Sequence, residues 1–128
     1  MVLLWVGVGG FLGACARYLL NQLFHALSIS LPLGTLLANV LAGFLIGFII
    51  GWEQQTVALS PKTKAFLVPG LLGGLSTFSA FSLETVQLFM AQKYFWGLAN
   101  IGLNILLSFG GVLLGMLLAK RLVAGNIN

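Results

Sequence analysis

Long apolar runs divide the chain into four segments that are separated by short polar stretches. The runs cover about residues 2–24, 32–52, 62–91 and 95–118. Each is as long as the roughly 20 apolar residues with which a helix crosses a bilayer, or longer. The pattern predicts a single domain, residues 1–128, that is all α-helical and has four transmembrane helices.

The boundaries of these runs carry helix signals. Pro32 suits the first turn of the second span, and Ser60-Pro61 places an N-cap residue and a first-turn proline at the start of the third. The first run has no basic residue ahead of it and reaches Arg17 without an obvious cleavage site. It is therefore predicted to be a transmembrane helix and not a signal peptide.

Small and polar residues recur at every fourth position of three spans, so each row lies on nearly one helix face. The rows are Gly9, Gly13, Arg17 and Asn21; Thr35, Asn39, Gly43, Gly47 and Gly51; and Asn100, Asn104 and Ser108, with Gly97, Gly111 and Gly115 near the same side. Small residues at this spacing let helix backbones approach closely in lipid. The glycines therefore predict packing surfaces.

Three polar side chains inside the spans need a further explanation. An amide in a membrane requires partners or water, and for Asn39 and Asn104 the pattern leaves interhelical bonding and pore lining equally open. A cation well inside a span costs roughly 2.5–3.5 kcal/mol on insertion scales. Arg17 lies about two turns from the end of its helix, so both snorkelling and an anion-facing role remain open.

The third span contains the stretch GLLGGLSTFSAFSLE, residues 70–84, in which hydroxyl groups follow a Gly-Gly pair. The glycines weaken the helix, and Ser76 and Thr77 can satisfy backbone groups that are freed locally. This predicts a third helix broken near its middle, unwound between about Gly73 and Thr77, with a simple kink as the alternative. Free carbonyls there could coordinate a hard cation such as sodium.

Two phenylalanines stand among these hydroxyl groups. An aromatic ring has a negative face and a positive edge, so Phe78 and Phe81 could favour an anion edge-on. Phenylalanines in membranes are more often lipid-facing or core residues. The spacing alone does not decide between these roles.

The composition excludes several classes of protein. Of 128 residues 59% are hydrophobic and 6% charged, whereas a soluble domain carries about a quarter charged residues. The net charge of +4 is spread over loops and ends, which leaves no basic patch for nucleic acid. An intramembrane enzyme is disfavoured because His25, Glu53 and Glu84 form no evident nucleophile–base–acid set.

Four pieces of the sequence resemble, in order, the fluoride channels called Fluc or CrcB. The pieces are GGFLGACARY, PLGTLLANVLAGFLIG, GGLSTFSAFSLE and NILLSFGG, and together they cover nearly the whole chain. The resemblance implies an antiparallel, dual-topology homodimer with two pores and a structural sodium ion at the dimer interface. Backbone carbonyls of Gly73 and Ser76 from both subunits would hold the sodium.

The resemblance also implies which residues line the fluoride pore. These are Asn39, Phe78 and Phe81, followed by a polar track of Ser79 or Ser82, Thr85, Asn104 and Ser108. Arg17 and Glu84 match family positions without an assigned role. The chain departs from many relatives in having Ser76-Thr77 instead of two threonines, and Ala80 instead of a hydroxyl residue.

The expected function is passive release of fluoride from a prokaryotic cell across its plasma membrane, which would protect it from fluoride. The expected partners are fluoride, lipid and a second copy of the chain. A small proton-coupled multidrug exporter is the alternative, but it should carry a carboxylate in the first span, where this chain has Arg17. A purely structural bundle would leave the hydroxyl-rich third span unexplained.

The basic residues give a modest orientation signal. Lys62, Lys64, Lys120 and Arg121 are predicted on one side of the membrane, and Lys93 on the other. The positive-inside rule then favours cytoplasmic termini. An antiparallel homodimer requires both orientations, so either the bias is too weak to fix the orientation or the chain pairs with a second, inverted subunit.

Overall fold

The computed structural model describes residues 1–27 and 29–125, which form helices and contain no strand. The elements are α1 (Val2–His25), α2 (Leu33–Glu53), α3 (Pro61–Ala65), a π-helical segment (Phe66–Leu72), α4 (Gly73–Leu75), α5 (Phe78–Met90) and α6 (Tyr94–Gly125). The predicted domain also includes Ser28 and residues 126–128, which lie outside the described residues.

Four helical stretches are long and apolar enough to cross a membrane, as predicted. They are Val2–His25, Leu33–Glu53, Pro61–Met90 and Tyr94–Gly125. Many of their large apolar side chains are exposed, which suits contact with lipid. The last helix continues beyond the predicted end at residue 118, because Lys120 and Arg121 favour helix and can extend it into the headgroup region.

The start of the third span confirms the predicted cap. The Ser60 hydroxyl accepts a hydrogen bond from the Thr63 backbone N–H at 3.2 Å, and Pro61 occupies the first turn. At the second span the prediction was wrong by one position. Pro32 is the N-cap of α2, with φ −76° and ψ 80°, and the helix begins at Leu33.

The α2 and α6 helices pack backbone to backbone along their glycine rows. A Cβ atom at Gly47 would clash with the backbone of Val112, and one at Gly115 would clash with the backbone of Phe44 and Phe48. The predicted packing role of these glycines is confirmed. This contact holds the second and fourth spans together as the most extensive helix pair of the fold.

The first span crosses the beginning of the third equally closely. A Cβ atom at Gly13 would clash with the backbone of Leu71 and Leu75, and one at Gly74 with that of Gly10. Gly73–Leu75 is helical, so the prediction that the Gly-Gly pair itself is unwound was wrong. Gly74 is needed here for close approach to α1 and not for freedom of the backbone.

The third span departs from regular helix at two places. Its π-helical segment contains Pro69, which has no N–H to donate and disfavours a regular helical turn before it. Further along, Ser76 (φ −76°, ψ 152°) and Thr77 (φ −154°, ψ 124°) are extended between α4 and α5. These two residues lie beside the small core of Ala38, Ala42, Leu72 and Leu75.

Candidate functional site

The side chain of Asn39 bonds both backbone groups of the extended residue Thr77. Asn39 Oδ1 accepts from the Thr77 N–H at 2.7 Å, and Asn39 Nδ2 donates to the Thr77 carbonyl at 3.2 Å. A backbone group left without a partner in hydrocarbon costs several kcal/mol. This clamp therefore lets the chain leave the helix at membrane depth.

The clamp is the end of a chain of hydrogen bonds that runs through α6 to α5. Asn39 Nδ2 donates to Asn104 Oδ1 at 2.9 Å, and Asn104 Nδ2 donates to Asn100 Oδ1 at 2.9 Å. Asn100 Nδ2 donates to the Thr85 hydroxyl at 2.9 Å, and that hydroxyl donates to the Phe81 carbonyl at 2.7 Å. We call this series the amide relay.

The two terminal groups of the amide relay determine which group donates and which accepts in each of its hydrogen bonds. The Thr77 N–H can only donate and the Phe81 carbonyl can only accept, so every amide between them has one possible orientation. Asn100 is fully buried and Asn104 nearly so. Asn39 and Asn104 thus form interhelical bonds, one of the two roles that the sequence left open, and both N–H groups of Asn39 are engaged.

Asn39 and Asn104 also line a cavity, together with Phe78, Phe81 and Ser108. The cavity measures about 540 Å³, and its remaining wall comes from Ala42, Gly43, Ile46, Ser76, Thr77, Ile105 and Phe109. We call it the phenylalanine cavity. Five of the predicted pore residues meet in this one space.

The two phenylalanine rings differ in their surroundings. Their centroids are 5.5 Å apart and their planes are tilted by 55°. Phe81 is buried, with 9% of its surface exposed, whereas Phe78 is 79% exposed. Phe81 therefore belongs to the protein interior, and Phe78 forms the open side of the cavity.

The Ser108 hydroxyl is a hydrogen-bond donor at this cavity that remains available for a ligand. Within residues 1–27 and 29–125 it bonds no other group, whereas the Ser76 hydroxyl donates to the Leu72 carbonyl at 3.0 Å. A hydroxyl hydrogen can bond an anion, and an aromatic ring can offer an anion its positive edge.

Arg17 lies at a second cavity, of about 510 Å³, on the opposite side of the extended residues. Asn21, Thr77 and Ser79 line it as well, so Thr77 borders both cavities. Ser79 is therefore separated from the phenylalanine cavity, and its hydroxyl pairs with that of Thr77 at 3.2 Å. Arg17 forms no ion pair with any residue that the structure describes.

Glu84 occupies a third cavity, of about 490 Å³, near the end of α1. Its Oε1 accepts from the Thr35 hydroxyl at 2.6 Å, and Thr35 is fully buried. Its Oε2 is buried without a hydrogen-bond partner in the described part of the chain. Glu84 is thus held by α2 and lies apart from the phenylalanine cavity.

The remaining predicted pore residues lie outside the cavity walls. The Ser82 hydroxyl donates to the Phe78 carbonyl at 2.8 Å and borders none of the three cavities. Thr85 is buried behind Phe81 as a member of the amide relay.

Two residues of the site were not predicted from sequence. Asn100 completes the amide relay, and Thr35 holds Glu84. Both belong to the rows of small and polar residues that recur at every fourth position. Asn100 lies four residues before Asn104 and Thr35 four residues before Asn39, and this spacing could have identified them. What the spacing does not show is the partner of each side chain.

The helices and cavities define a class: a small multi-pass membrane protein with polar groups at membrane depth beside an extended backbone segment. The sequence model of the family described as "CrcB-like protein, Camphor Resistance (CrcB)" matches residues 4–116. The chain belongs to this family, and the resemblance seen in the sequence is confirmed.

Several curated relatives are named "Fluoride-specific ion channel FluC". One from Ruminiclostridium cellulolyticum is 45% identical over 93% of this chain and 92% of its own length. One from a Sulfurovum species is 48% identical over 94% of this chain and 95% of its own. One from Clostridium novyi is 41% identical over 90% of this chain and 91% of its own length.

Proposed function

We propose that this chain forms a fluoride-selective channel that releases fluoride passively from a prokaryotic cell and so protects it. Its family membership and the function for which its relatives are named support this. The relatives are channels, so the chain is not an enzyme. The multidrug exporter gains no support from the relatives, and the first span carries Arg17 but no carboxylate.

The observation that carries the proposal is the phenylalanine cavity. Fluoride binds water strongly, so a pore must offer hydrogen-bond donors and positive ring edges in place of water. Ser108 and the rings of Phe78 and Phe81 line it together. Among the residues that the structure describes, none of those lining the cavity carries a basic side chain that would trap the anion.

The direction of transport follows from acid chemistry and the membrane potential. Hydrogen fluoride is neutral in acidic surroundings, crosses bilayers and ionises in a near-neutral cytoplasm. A membrane potential that is negative inside drives the anion outward with about 2.3 kcal/mol per 100 mV. An open, selective pore in the plasma membrane would suffice, and no nucleotide hydrolysis is needed.

A structural sodium ion fits the backbone around Ser76. In a continuous helix the Thr77 and Ala80 N–H groups would bond the carbonyls of Gly73 and Ser76. Here the Thr77 N–H donates to Asn39 and the Ala80 N–H to the Thr77 hydroxyl, so both carbonyls lack their helical donors. Such carbonyls suit a hard cation, which would hold the third spans of two subunits together.

A second, antiparallel copy of the chain would complete the pore. Phe78 and Ser79 are exposed on one copy, although both lie in the middle of a span. A hydroxyl group that faces lipid finds no water to bond, which is unfavourable, and the same holds for polar cavities that open towards lipid. A second copy would cover them and supply the other half of a dual-topology homodimer.

The test of the channel is anion efflux from liposomes that contain only this protein. With the voltage clamped by a potassium ionophore, fluoride should leave at least about tenfold faster than chloride, a barrier difference of about 1.4 kcal/mol. Equal efflux of the two anions would overturn the proposal. Sodium that moves with each fluoride would overturn its structural role.

The test of the homodimer is labelling of a C-terminal cysteine from each side of intact cells, on a Cys15→Ala background because Cys15 is exposed. Labelling from both sides is expected. Labelling from the cytoplasmic side alone would exclude the antiparallel homodimer and require an inverted second subunit.

A further inference from the structure

The two ends of the molecule carry different charge. The end of α2, the start of α3 and the last turns of α6 meet at one end, because Gly51 packs against Met116 and Ala119. This basic end bears Lys62, Lys64, Lys120 and Arg121 against one acid, Glu53. The opposite end bears Lys93, which bonds the Ser30 hydroxyl.

The one acid at the basic end is already paired. Glu53 Oε2 lies 2.8 Å from Lys64 Nζ, and Glu53 Oε1 accepts from the Leu59 N–H at 2.9 Å. Lys62 is exposed and forms no ion pair with a described residue, and the same holds for Lys120 and Arg121. The basic end therefore keeps three positive charges at the height where lipid headgroups lie.

An apolar groove opens at this same end. It measures about 360 Å³ and is lined by Phe48, Ile49, Trp52, Leu59 and Leu67. Trp52 is 37% exposed and lies in the last turn of α2, where an aromatic residue marks the membrane–water interface. Leu59 joins the groove because its N–H is held by Glu53.

We propose that the groove and the basic end together bind an anionic phospholipid, with an acyl chain along Trp52 and the headgroup near the free basic side chains. An apolar groove alone would accept any lipid. The surplus of positive charge beside it selects a negative headgroup, since each basic residue near an anionic membrane surface adds to the attraction. The opposite end should show no such preference.

The experiment uses tryptophan fluorescence and lipids brominated on the acyl chain, which quench at short range. A Trp5→Phe/Trp96→Phe variant leaves Trp52 as the reporter of the basic end. A Trp5→Phe/Trp52→Phe variant leaves Trp96, at the start of α6, as the matched reporter of the opposite end. Each variant is placed in vesicles with brominated phosphatidylglycerol or brominated phosphatidylcholine.

Phosphatidylglycerol should quench Trp52 with a roughly fivefold higher relative affinity than phosphatidylcholine, and Trp96 without preference. The preference should vanish in Lys62→Gln/Lys120→Gln/Arg121→Gln and persist in Lys93→Gln. Because each end of the chain lies in one leaflet of a symmetric vesicle, the result does not depend on orientation or on fluoride transport.

Equal quenching of Trp52 by the two lipids would overturn the proposal, and so would a preference that survives the triple substitution. Weak quenching by both would mean that a second copy of the chain covers the groove, which also overturns it. Native mass spectrometry of the unmodified protein from an equimolar lipid mixture guards against a reporter variant that does not fold. Retention of phosphatidylglycerol is expected, and retention of both lipids alike contradicts the site.

Discussion

The α2–α6 pair and the third span satisfy their backbones in opposite ways. The α2 and α6 helices bond their own backbone groups and meet through glycines, with backbone against backbone. The third span bonds the backbone of Thr77 through the side chain of Asn39 on α2. The α2–α6 pair is stabilised by close backbone packing, whereas the third span depends on hydrogen bonds to specific polar side chains.

This difference separates scaffold from site. The backbones approach closely at Gly47 and Gly115, whereas the cavity that α2 and α6 both line lies further along the pair, beside Asn39 and Ser108. Of the two extended residues, Ser76 lines the phenylalanine cavity and Thr77 borders both this cavity and the one at Arg17. Substitutions at the closely packed glycines should therefore affect folding, whereas substitutions of the residues that hold Thr77, Asn39 of α2 among them, should affect fluoride efflux.

The largest effect should come from Gly115→Ala. The new methyl group would clash with the backbone of Phe44 and Phe48, which cannot move aside, so we expect a loss of about 3 kcal/mol of unfolding free energy or no folded protein. Gly110→Ala on the same helix is the control. A Cβ atom there meets nothing within 4 Å, and helix propensity should add up to about 1 kcal/mol.

Denaturant unfolding in detergent micelles measures both variants. If Gly115→Ala is as stable as Gly110→Ala, close backbone contact is not needed for the packing of α2 on α6. The claim that glycine packing stabilises this helix pair would then be wrong.

The next largest effect should come from Asn39→Leu. It leaves both backbone groups of Thr77 without partners, at about 1–3 kcal/mol each. We expect fluoride efflux to fall at least about tenfold, equivalent to about 1.4 kcal/mol in barrier height. Ser82→Ala is the matched control, because that hydroxyl bonds only the carbonyl of its own helix. Normal efflux through Asn39→Leu would show that the clamp is dispensable.

Phe78→Ile and Phe81→Ile should slow fluoride efflux by about tenfold, near 1.4 kcal/mol, while the protein remains folded. Isoleucine keeps an apolar side chain but has no ring edge to contact an anion. Phe11→Ile on the exposed face of α1 is the control and should leave efflux unchanged. Efflux at the wild-type rate in both Phe78→Ile and Phe81→Ile would mean that the rings only pack.

The smallest effect should come from Ser76→Ala. Its hydroxyl bonds only the Leu72 carbonyl, so the loss should stay below about 1 kcal/mol, and the carbonyl offered to sodium is unchanged. Gly73→Ala sharpens the comparison. Within one chain the methyl group of the new alanine would have ordinary contact with the Val68 carbonyl at 3.5 Å, so the single chain should fold normally. A variant that folds but does not dimerise would therefore show that residue 73 contacts a second copy of the chain. A severe defect in Ser76→Ala would indicate that its side chain is the ligand.

The regular parts of the fold follow from local pattern. The four spans, the Ser60 cap and the glycine packing of α2 on α6 each depend on residues that are close in sequence or recur at a fixed spacing. The position of the extended residues does not. Gly73-Gly74 is locally the weakest helix former, yet it is helical, and Gly74 packs against Gly10 of α1.

Part of the membership of the site was predictable, but the connections between its residues were not. The pattern named Asn39, Asn104 and the phenylalanines, and the structure brings them to one cavity. It could not show that Asn39 bonds Thr77, 38 residues away, or that Asn100 orients Asn104. Such bonds depend on how helices are rotated against each other, which a single helix does not encode.

The clamp between Asn39 and Thr77 also sets an order of assembly in the membrane. Asn39 lies in the second span, so it is made before the third span leaves the ribosome and can receive the Thr77 backbone as soon as that span enters the bilayer. Asn104 arrives last, with the fourth span, and gives Asn39 its remaining acceptor. Reversing the two middle spans in the chain would leave Thr77 in lipid without a partner during synthesis.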